Sequence, residues 1–255
     1  MISDSEYCHE FIGIRGNGSI ALEDAYLFSR AFGLRVLVRP VKPGLRTSKN
    51  GGFPMSRLKE LRTPVFWAEG HPGKLDREGW TVEVSGLCRN PRTFSWQELV
   101  EIPKSIADAR LTSVTRFSVR GRWGGVKVAH LLDAVQLEPS SKYVRFWSYK
   151  KVYDTSLPIE VALREKTLLA YEFDGEYLEE DYGGPVRGFC PYLWGYKSAK
   201  SVVKVELMDR YFPGFWEQRG YPDEAIISAG KVRDMNQGGR LRPIPGGKVI
   251  NLLDG

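Results

Sequence analysis

Three cations and two serines lie among glycines in residues 183–202, GGPVRGFCPYLWGYKSAKSV. A turn that contains glycine lets backbone N–H groups approach a ligand closely, and neighbouring cations neutralise a phosphate. The segment therefore predicts a site for an anionic ligand, with a hairpin carrying solvated lysines as the alternative. The candidate residues are Arg187, Lys197, Ser198 and Lys200.

A second candidate segment is LTSVTRFS, residues 111–118, which is followed closely by Trp-Gly-Gly at residues 123–125. It reads as the end of a buried strand that runs into a polar turn. Ser113 lies at the strand end, and Arg116 follows three residues later. A serine nucleophile needs a nearby base, and the sequence shows none. The role of this hydroxyl is the question that the sequence raises.

Cysteine and histidine are too few and too dispersed for a protein-built zinc site or a disulfide framework. The chain has three of each and no Cys-x-x-Cys pair. Cys8, His9 and Glu10 are adjacent, but neighbouring residues rarely chelate one ion. There is no apolar signal segment and no apolar run of membrane-spanning length, so we expect a reduced, cytoplasmic protein.

The composition is that of a soluble globular protein with a single large domain or two small ones. Hydrophobic residues make up 42% and charged residues 27% of 255 positions. The net charge of +6 indicates either an ordinary solvated surface or a local basic pocket for an anionic ligand. No long lysine–arginine run supports nucleic-acid binding.

The elements that must position these residues are short strands and short helices, without regular βαβ alternation. This pattern predicts an α+β domain. Ser95 and Glu98 have the spacing of a capping box at a helix start. Strands are predicted at WTVEVSGL, KYVRFWSY, RGFCPYL and KSVVKVELMD, and further helices at residues 20–38, VAHLLDAV and LPIEVAL.

Three regions follow from the change of pattern along the chain. Residues 1–62 are predicted to form a helix and an extended arm, because RPVKPGLRTSKNGGFP is rich in proline, glycine and cations. Residues 63–221 form the main domain. Residues 222–255, rich in glycine, proline and charge, are expected to be a poorly packed tail.

Taken in order, four stretches resemble the molybdopterin-dependent oxidoreductases of the sulfite-oxidase fold, in particular its small bacterial single-domain members. They are EGHPGKLDREGWTVEVSGLCRNPRTFSWQEL, TSVTRFSVRGRWGGV, YEFDGEYL with GGPVRGFCPYLWGYKSAKSV, and DRYFPGFWEQRGY. The resemblance covers roughly residues 63–221. It implies a mixed-sheet α+β fold with one domain, a molybdopterin cofactor with or without molybdenum, and oxidoreductase activity.

The resemblance also implies roles for individual residues. It implies that Lys197, Ser198 and Lys200 hold the pterin phosphate, with Arg187 and Arg116 close to the pocket. His71, in a Gly-His-Pro turn, would touch the pterin. Tyr153 corresponds to a tyrosine that family members often place after the central strand, and we count it with the catalytic candidates Ser113 and Arg116.

The chain departs from the family at Ser113, where the family has a cysteine whose thiolate binds molybdenum. A serine hydroxyl is a much weaker acid and binds a metal only after losing its proton. Either Ser113 coordinates the metal, or stands in place of a native cysteine, or the metal is absent. Cys190 is expected to be buried packing rather than a replacement ligand.

Three functions therefore stay open. One is a molybdopterin-dependent oxidoreductase that acts on a small molecule, with an electron-transfer partner. Another is a metal-free enzyme that reuses the pocket for acid–base or cyclisation chemistry on a small organic, secondary-metabolite-like substrate, with Ser113, Arg116, Tyr153 and Asp154 as donors and acceptors. The third is a non-catalytic carrier whose aromatic ending, Tyr211 to Trp216, binds a partner. None of them needs nucleic acid or a membrane.

Overall fold

The structure, a computed structural model, describes residues 56–114, 118–227, 231–235 and 238–243. The helix predicted at residues 20–38 and the arm that follows it lie outside the described residues, and so does Arg116. No helix in the described part is long and apolar enough to cross a bilayer.

Short strands dominate the described residues and are joined by helices of one or two turns. The strands are β1 (Thr81–Gly86), β2 (Arg92–Ser95), β3 (Ser105–Thr112), β4 (Ser118–Lys127), β5 (Tyr143–Ser148), β6 (Asp154–Pro158), β7 (Leu168–Phe173), β8 (Glu176–Tyr177), β9 (Arg187–Phe189), β10 (Val202–Met208), β11 (Lys231–Asp234) and β12 (Arg240–Pro243). The α-helices are α1 (Arg57–Glu60), α2 (Trp96–Glu101), α3 (Val128–Ala134) and α4 (Ile159–Ala162), and the 3₁₀ turns are Tyr149–Lys151, Glu180–Tyr182, Gly195–Lys197 and Glu217–Arg219.

The first sheet has the strand order β2-β1-β10-β5-β6. β1 and β10 run parallel, whereas the other neighbours run antiparallel. The alternating pattern predicted for WTVEVSGL is confirmed, since Val82 and Val84 of β1 are completely buried while their neighbours are exposed or half-buried. Val144 and Phe146 of β5 bury the same way and join one large apolar core.

The second sheet has the order β3-β4-β7-β8, with β9 also paired to β7, and all its pairs are antiparallel. All six residues of β7 are buried. The β4–β7 register shifts between Gly124 and Gly125. A Cβ atom on Gly125 would lie 2.2 Å from the carbonyl oxygen of Leu169. This explains why β4 needs a glycine where its backbone comes so close to β7.

The predicted local signals are confirmed in several elements. The Ser95 side chain accepts a hydrogen bond from the Glu98 N–H, and the Glu98 carboxylate accepts one from the Ser95 N–H, so the capping box is complete. The helix predicted at VAHLLDAV forms as α3, and the one predicted at LPIEVAL forms as the single turn α4, directly after Pro158. With two five-stranded sheets, a two-stranded antiparallel sheet of β11 and β12, and short helices, the described residues have an α+β fold, as predicted.

The expectation of a poorly packed tail is wrong for residues 222–227. Ala225 is completely buried and Ile227 is 6% exposed. The N–H of Trp194 donates to the carbonyl of Ala225, and Leu193 forms an isolated bridge with Ile226. The tail looked polar because glycines, prolines and charges outnumber its few apolar residues, yet two of those, Ala225 and Ile227, are buried.

Candidate functional site

One cavity collects most of the predicted site residues. It lies where the end of β3, strand β9, the 3₁₀ turn Gly195–Lys197 and the segment of residues 63–69 meet. Its volume is about 120 Å³, enough for a phosphate-sized group but below the roughly 300–1,000 Å³ of most small-molecule sites. Its polar lining residues include Glu69, Ser113, Tyr153, Arg187, Ser198 and Lys200.

Arg187 begins β9 and is 4% exposed. Its guanidinium donates to the carbonyl oxygens of Tyr182 at 2.6 Å, Ser198 at 3.2 Å and Gly188 at 3.3 Å. Burial lowers the pKa of this guanidinium to about 10, since desolvation disfavours the charged form. Among the described residues, no carboxylate forms an ion pair with it.

Lys200 is the second cation of the cavity, and it is half-buried. Its Nζ donates to the carbonyl oxygens of Phe66 and Asp181, both at 2.8 Å, and lies 4.6 Å from the centre of the Trp67 ring. Burial, and next the charge of Arg187, lower the pKa of this amine to about 7. Within the described part of the chain, Lys200 also lacks an ion pair, so two cations line one cavity without a carboxylate bound to either.

Ser198 completes this group, which we call the anion site: Arg187, Ser198 and Lys200. The Ser198 hydroxyl accepts a hydrogen bond from the Cys190 N–H at 3.0 Å, so its own proton is left to donate. The turn before it lies close to the end of β3, because a Cβ atom on Gly195 would meet the Thr112 carbonyl oxygen at 3.2 Å. This approach brings Ser113 and the anion site to one cavity.

Ser113 lies one residue beyond the end of β3, is half-buried and lines the cavity. Neither described cysteine does: Cys190 is 1% exposed and Cys88 is also buried. Burial raises the pKa of the Cys190 thiol to about 11, in keeping with the expected packing role. Among the described residues, no group of three or more His, Cys, Asp or Glu side chains is placed to hold a metal ion.

Tyr153 lies just before β6, lines the cavity and is 8% exposed. Its hydroxyl donates to the Tyr196 carbonyl oxygen at 2.6 Å, and its ring stacks on Phe215 with the centres 5.4 Å apart. Burial raises the pKa of the hydroxyl well above its usual value. Tyr153 therefore keeps its proton and fixes the turn that carries the anion site.

Two predicted residues do not line the cavity. His71 is exposed at the rim, where its Nε2 lies 2.9 Å from an Asp181 carboxylate oxygen and its ring meets Trp67 edge-on at 5.6 Å. Lys197 points away from the cavity, into the core, where it pairs with Glu217. Arg116 lies outside the described residues.

Sequence reasoning missed several lining residues. Glu69 is half-buried and its carboxylate accepts a hydrogen bond from the Ser148 hydroxyl at 2.6 Å. It stands two positions before His71, in a motif that had been read only for the histidine. Trp216 and Tyr221 also line the cavity; the sequence had offered the segment from Tyr211 to Trp216 only as a partner-binding surface.

The described residues fit one part of a pterin cofactor and not another. A phosphate in the anion site would meet a guanidinium, an amine and a hydroxyl, and would offset the burial of two cations. Molybdenum would meet no thiolate among the described residues, since Ser113 offers only a hydroxyl at the expected position. The phosphate end therefore fits, whereas the thiolate position of the metal does not.

Comparison with protein families gives a match to the oxidoreductase molybdopterin binding domain over residues 68–216. A curated relative, the uncharacterized oxidoreductase YuiH of Bacillus subtilis (strain 168), is 28% identical over 177 residues, 69% of this chain and 89% of that protein.

Other curated relatives are longer than the matched segment. The putative protein-methionine-sulfoxide reductase subunit YedZ1 of Azospira oryzae is 30% identical, with 62% of this chain and 60% of that protein covered. The protein-methionine-sulfoxide reductase catalytic subunit MsrP of Burkholderia mallei is 31% identical, with 56% and 48% covered. The match thus spans only about half of the MsrP chain.

The fold is also found in a solved structure, the sulfane dehydrogenase SoxCD from Paracoccus pantotrophus. The TM-score is 0.53 at 18% identity, covering 66% of this chain and 45% of that one. A likeness at this identity concerns the fold, and it confirms the predicted fold class.

Proposed function

Because the chain belongs to the oxidoreductase molybdopterin-binding domain family, we propose that it is an oxidoreductase that holds molybdopterin by its phosphate and acts on a small molecule. The observation that carries this proposal is a pair of cations, the buried Arg187 and the half-buried Lys200, which line one cavity without a carboxylate bound to either among the described residues. When bound, such a cofactor supplies the electron or oxygen transfer at its metal.

In this proposal the residues of the chain bind and orient. Arg187, Ser198 and Lys200 hold the phosphate by charge-assisted hydrogen bonds. Tyr153 fixes the turn behind them through the Tyr196 carbonyl. His71 at the rim and Arg116 stay candidates for contacts to the pterin and the substrate, whereas Lys197 is left out because its side chain is used in the core.

The cofactor needs more room than the cavity offers in this conformation. Phe66, Trp67 and Glu69 cover it from one side, and the backbone of this segment is held by Lys200 through the Phe66 carbonyl. A phosphate that binds Lys200 competes for this hydrogen bond. We therefore include in the proposal that the segment of residues 63–69 moves outward when the cofactor enters.

A second candidate is a metal-free enzyme in the same cavity, and the observation that favours it is Ser113. A hydroxyl replaces the expected thiolate, and Tyr153 adds a second hydroxyl to the lining. Acid–base or cyclisation chemistry on a small organic substrate would then use these groups with Arg116 and Asp154. Asp154 is 5% exposed and is bound to Arg145 at 2.7 Å, so it would act through its neighbours.

The experiment is to measure pterin and molybdenum per chain in protein purified from a host that makes the cofactor. The variants are Ser113→Cys and, as a control, Ser85→Cys on β1. Pterin in the wild type supports the proposal, and its absence from the wild type and from Ser113→Cys would refute it. Metal only in Ser113→Cys would assign the metal-free function to the natural chain, whereas metal in both would make Ser113 a ligand or leave its position vacant.

The proposal extends to location and partners. We propose a cytoplasmic enzyme with a small-molecule substrate and an electron-transfer partner, binding neither nucleic acid nor a membrane. The two described cysteines, Cys88 and Cys190, are both unpaired thiols, which supports a reducing compartment. Cell fractionation tests the location: recovery with the soluble cytoplasmic enzymes is expected, and recovery outside the cytoplasm would contradict it.

A further inference from the structure

A fully buried ion pair lies directly behind the anion site. Lys197 Nζ is 2.5 Å from Glu217 Oε1, and neither side chain has any exposed surface. Lys197 Nζ also donates to the Ser156 carbonyl oxygen at 3.0 Å, and the Thr155 hydroxyl donates to Glu217 Oε1 at 3.1 Å. The pair therefore joins the turn Gly195–Lys197 to the segment that follows β10.

Stability alone does not account for this pair. Removing two charges from water is costly, and replacing a buried ion pair by well-packed apolar residues often leaves a protein equally stable or more so. Compensation is also incomplete here, because Glu217 Oε2 is buried and has no hydrogen-bond partner among the described residues. What a pair of opposite charges provides and an apolar contact does not is a fixed register between two segments.

The two segments both contribute residues to the lining of the cavity. Lys197 stands between Tyr196 and Ser198, and Glu217 follows Trp216; all three neighbours line the cavity. The two segments also meet where the Tyr196 and Tyr221 rings stack at 5.0 Å. A shift of either segment would change the separation between the Ser198 hydroxyl and Trp216.

We propose that Glu217 is a positioning residue: paired with Lys197, it fixes the turn of residues 195–198 so that the Ser198 hydroxyl is held at a set distance from Trp216. This positioning of the turn is expected in the ligand-free protein. Its consequence for binding rests on the proposed function, since it assumes that the ligand carries a phosphate.

The test compares a double variant, Lys197→Met with Glu217→Leu, with the wild type. Both charges disappear and the volume is kept, so the melting temperature is expected to stay within about 5 °C. Hydrogen exchange of the Lys197 and Ser198 amides, which donate to the Trp194 and Gly195 carbonyls, is expected to become at least about tenfold faster. Pyrophosphate, titrated calorimetrically as the probe, is expected to bind at least about tenfold more weakly.

A matched control is Lys104→Met with Glu172→Leu. This pair is 2.8 Å apart, its Lys104 and Glu172 side chains are 42% and 7% exposed, and neither residue lines the cavity. It is expected to change neither the exchange of the Lys197 and Ser198 amides nor pyrophosphate binding. Equal effects in both double variants would mean that the loss of an ion pair has only a general effect on stability, and would overturn the proposal.

The two readouts separate the proposals. If the double variant folds and its amides at residues 197 and 198 exchange at the wild-type rate, the positioning role is overturned, whatever the affinity for pyrophosphate. Faster exchange together with no pyrophosphate or pterin binding in the wild type would uphold the positioning role and count against the proposed function. If the double variant does not fold, Glu217→Gln replaces it: this keeps the size and a hydrogen bond, and wild-type exchange in this variant would equally overturn the role.

Discussion

At the scale of single residues, the main chemical feature of the described part of the chain is a pair of cations in one cavity, the buried Arg187 and the half-buried Lys200, with no carboxylate bound to either. Arg187 and Lys200 are satisfied by backbone carbonyls, which supply hydrogen-bond acceptors but no full negative charge. The lowered pKa values of about 10 and about 7 express the free-energy cost of this arrangement. An anion bound between them would remove much of that cost.

This cost gives a pH dependence for the ligand-free protein. The pKa of Lys200 is about 7 when folded and near 10.5 when unfolded, so the unfolded state binds the extra proton between these values. The free energy of unfolding should therefore rise with pH from about 7 to 10, relative to Lys200→Met, by up to about 1.4 kcal/mol per pH unit. Urea unfolding of both proteins at several pH values measures it; parallel curves would contradict it.

Side-chain direction explains what the sequence could not show about the site. Arg187, Ser198 and Lys200 were candidates because cations around a glycine turn indicate anion binding, and all three line the cavity. Lys197 has the same chemistry and spacing, but its partner Glu217 is twenty positions away and becomes visible only when the chain is folded. Glu69 was missed because a single carboxylate before a turn has no sequence motif that would mark it as a site residue.

At the scale of elements, features that depend on neighbouring residues were predicted from the sequence, whereas contacts between distant strands were not. Alternation of apolar residues predicted β1, and the Ser95–Glu98 spacing predicted the start of α2, because both signals depend only on near neighbours. The register shift between β4 and β7 depends on a contact between distant segments. The two glycines at residues 124 and 125 indicated a close backbone contact, but the sequence did not show which strand would make it.

The two glycines of β4 are expected to differ sharply on substitution. In Gly125→Ala the new Cβ would lie 2.2 Å from the Leu169 carbonyl oxygen, a backbone atom, so we expect a loss of more than about 3 kcal/mol in the free energy of unfolding. In Gly124→Ala it would lie 3.0 Å from Glu172 Oε2 and 3.2 Å from Glu172 Cβ, both side-chain atoms at longer range, so a smaller loss of about 1–2 kcal/mol is expected. Equal losses of unfolding free energy in denaturant titrations would contradict the claim that only Gly125 lies too close to the β7 backbone for a side chain.

At the scale of the whole molecule, the resemblance and the family match agree closely. The sequence resemblance covered residues 63–221, and the family matches residues 68–216. The chain nevertheless uses residues beyond that match, because Tyr221 lines the cavity and Ala225 and Ile227 are buried in the core. The region boundaries at residues 62 and 221 stay predictions.

Packing beyond residue 221 can be tested with two adjacent isoleucines. Ile227 is 6% exposed and belongs to the core, whereas Ile226 is 61% exposed. Ile227→Ala should lower the free energy of unfolding by about 2–4 kcal/mol, and Ile226→Ala by no more than about 0.5 kcal/mol. Thermal or urea unfolding of the two variants is the measurement. If Ile227→Ala behaved like Ile226→Ala, the tail would not be part of the folded core.

The central claim is that the anion site holds the phosphate of molybdopterin, and one measurement tests it most directly: pterin per chain in Lys200→Met, beside the wild type and the control Lys104→Met. Lys200 contributes to the site and Lys104 does not. The account predicts pterin in the wild type and in Lys104→Met, and at least about a tenfold lower pterin content in folded Lys200→Met. A tenfold loss is about what the removal of one charge-assisted hydrogen bond costs in binding affinity. Equal pterin content in all three proteins, or none in the wild type, would contradict it.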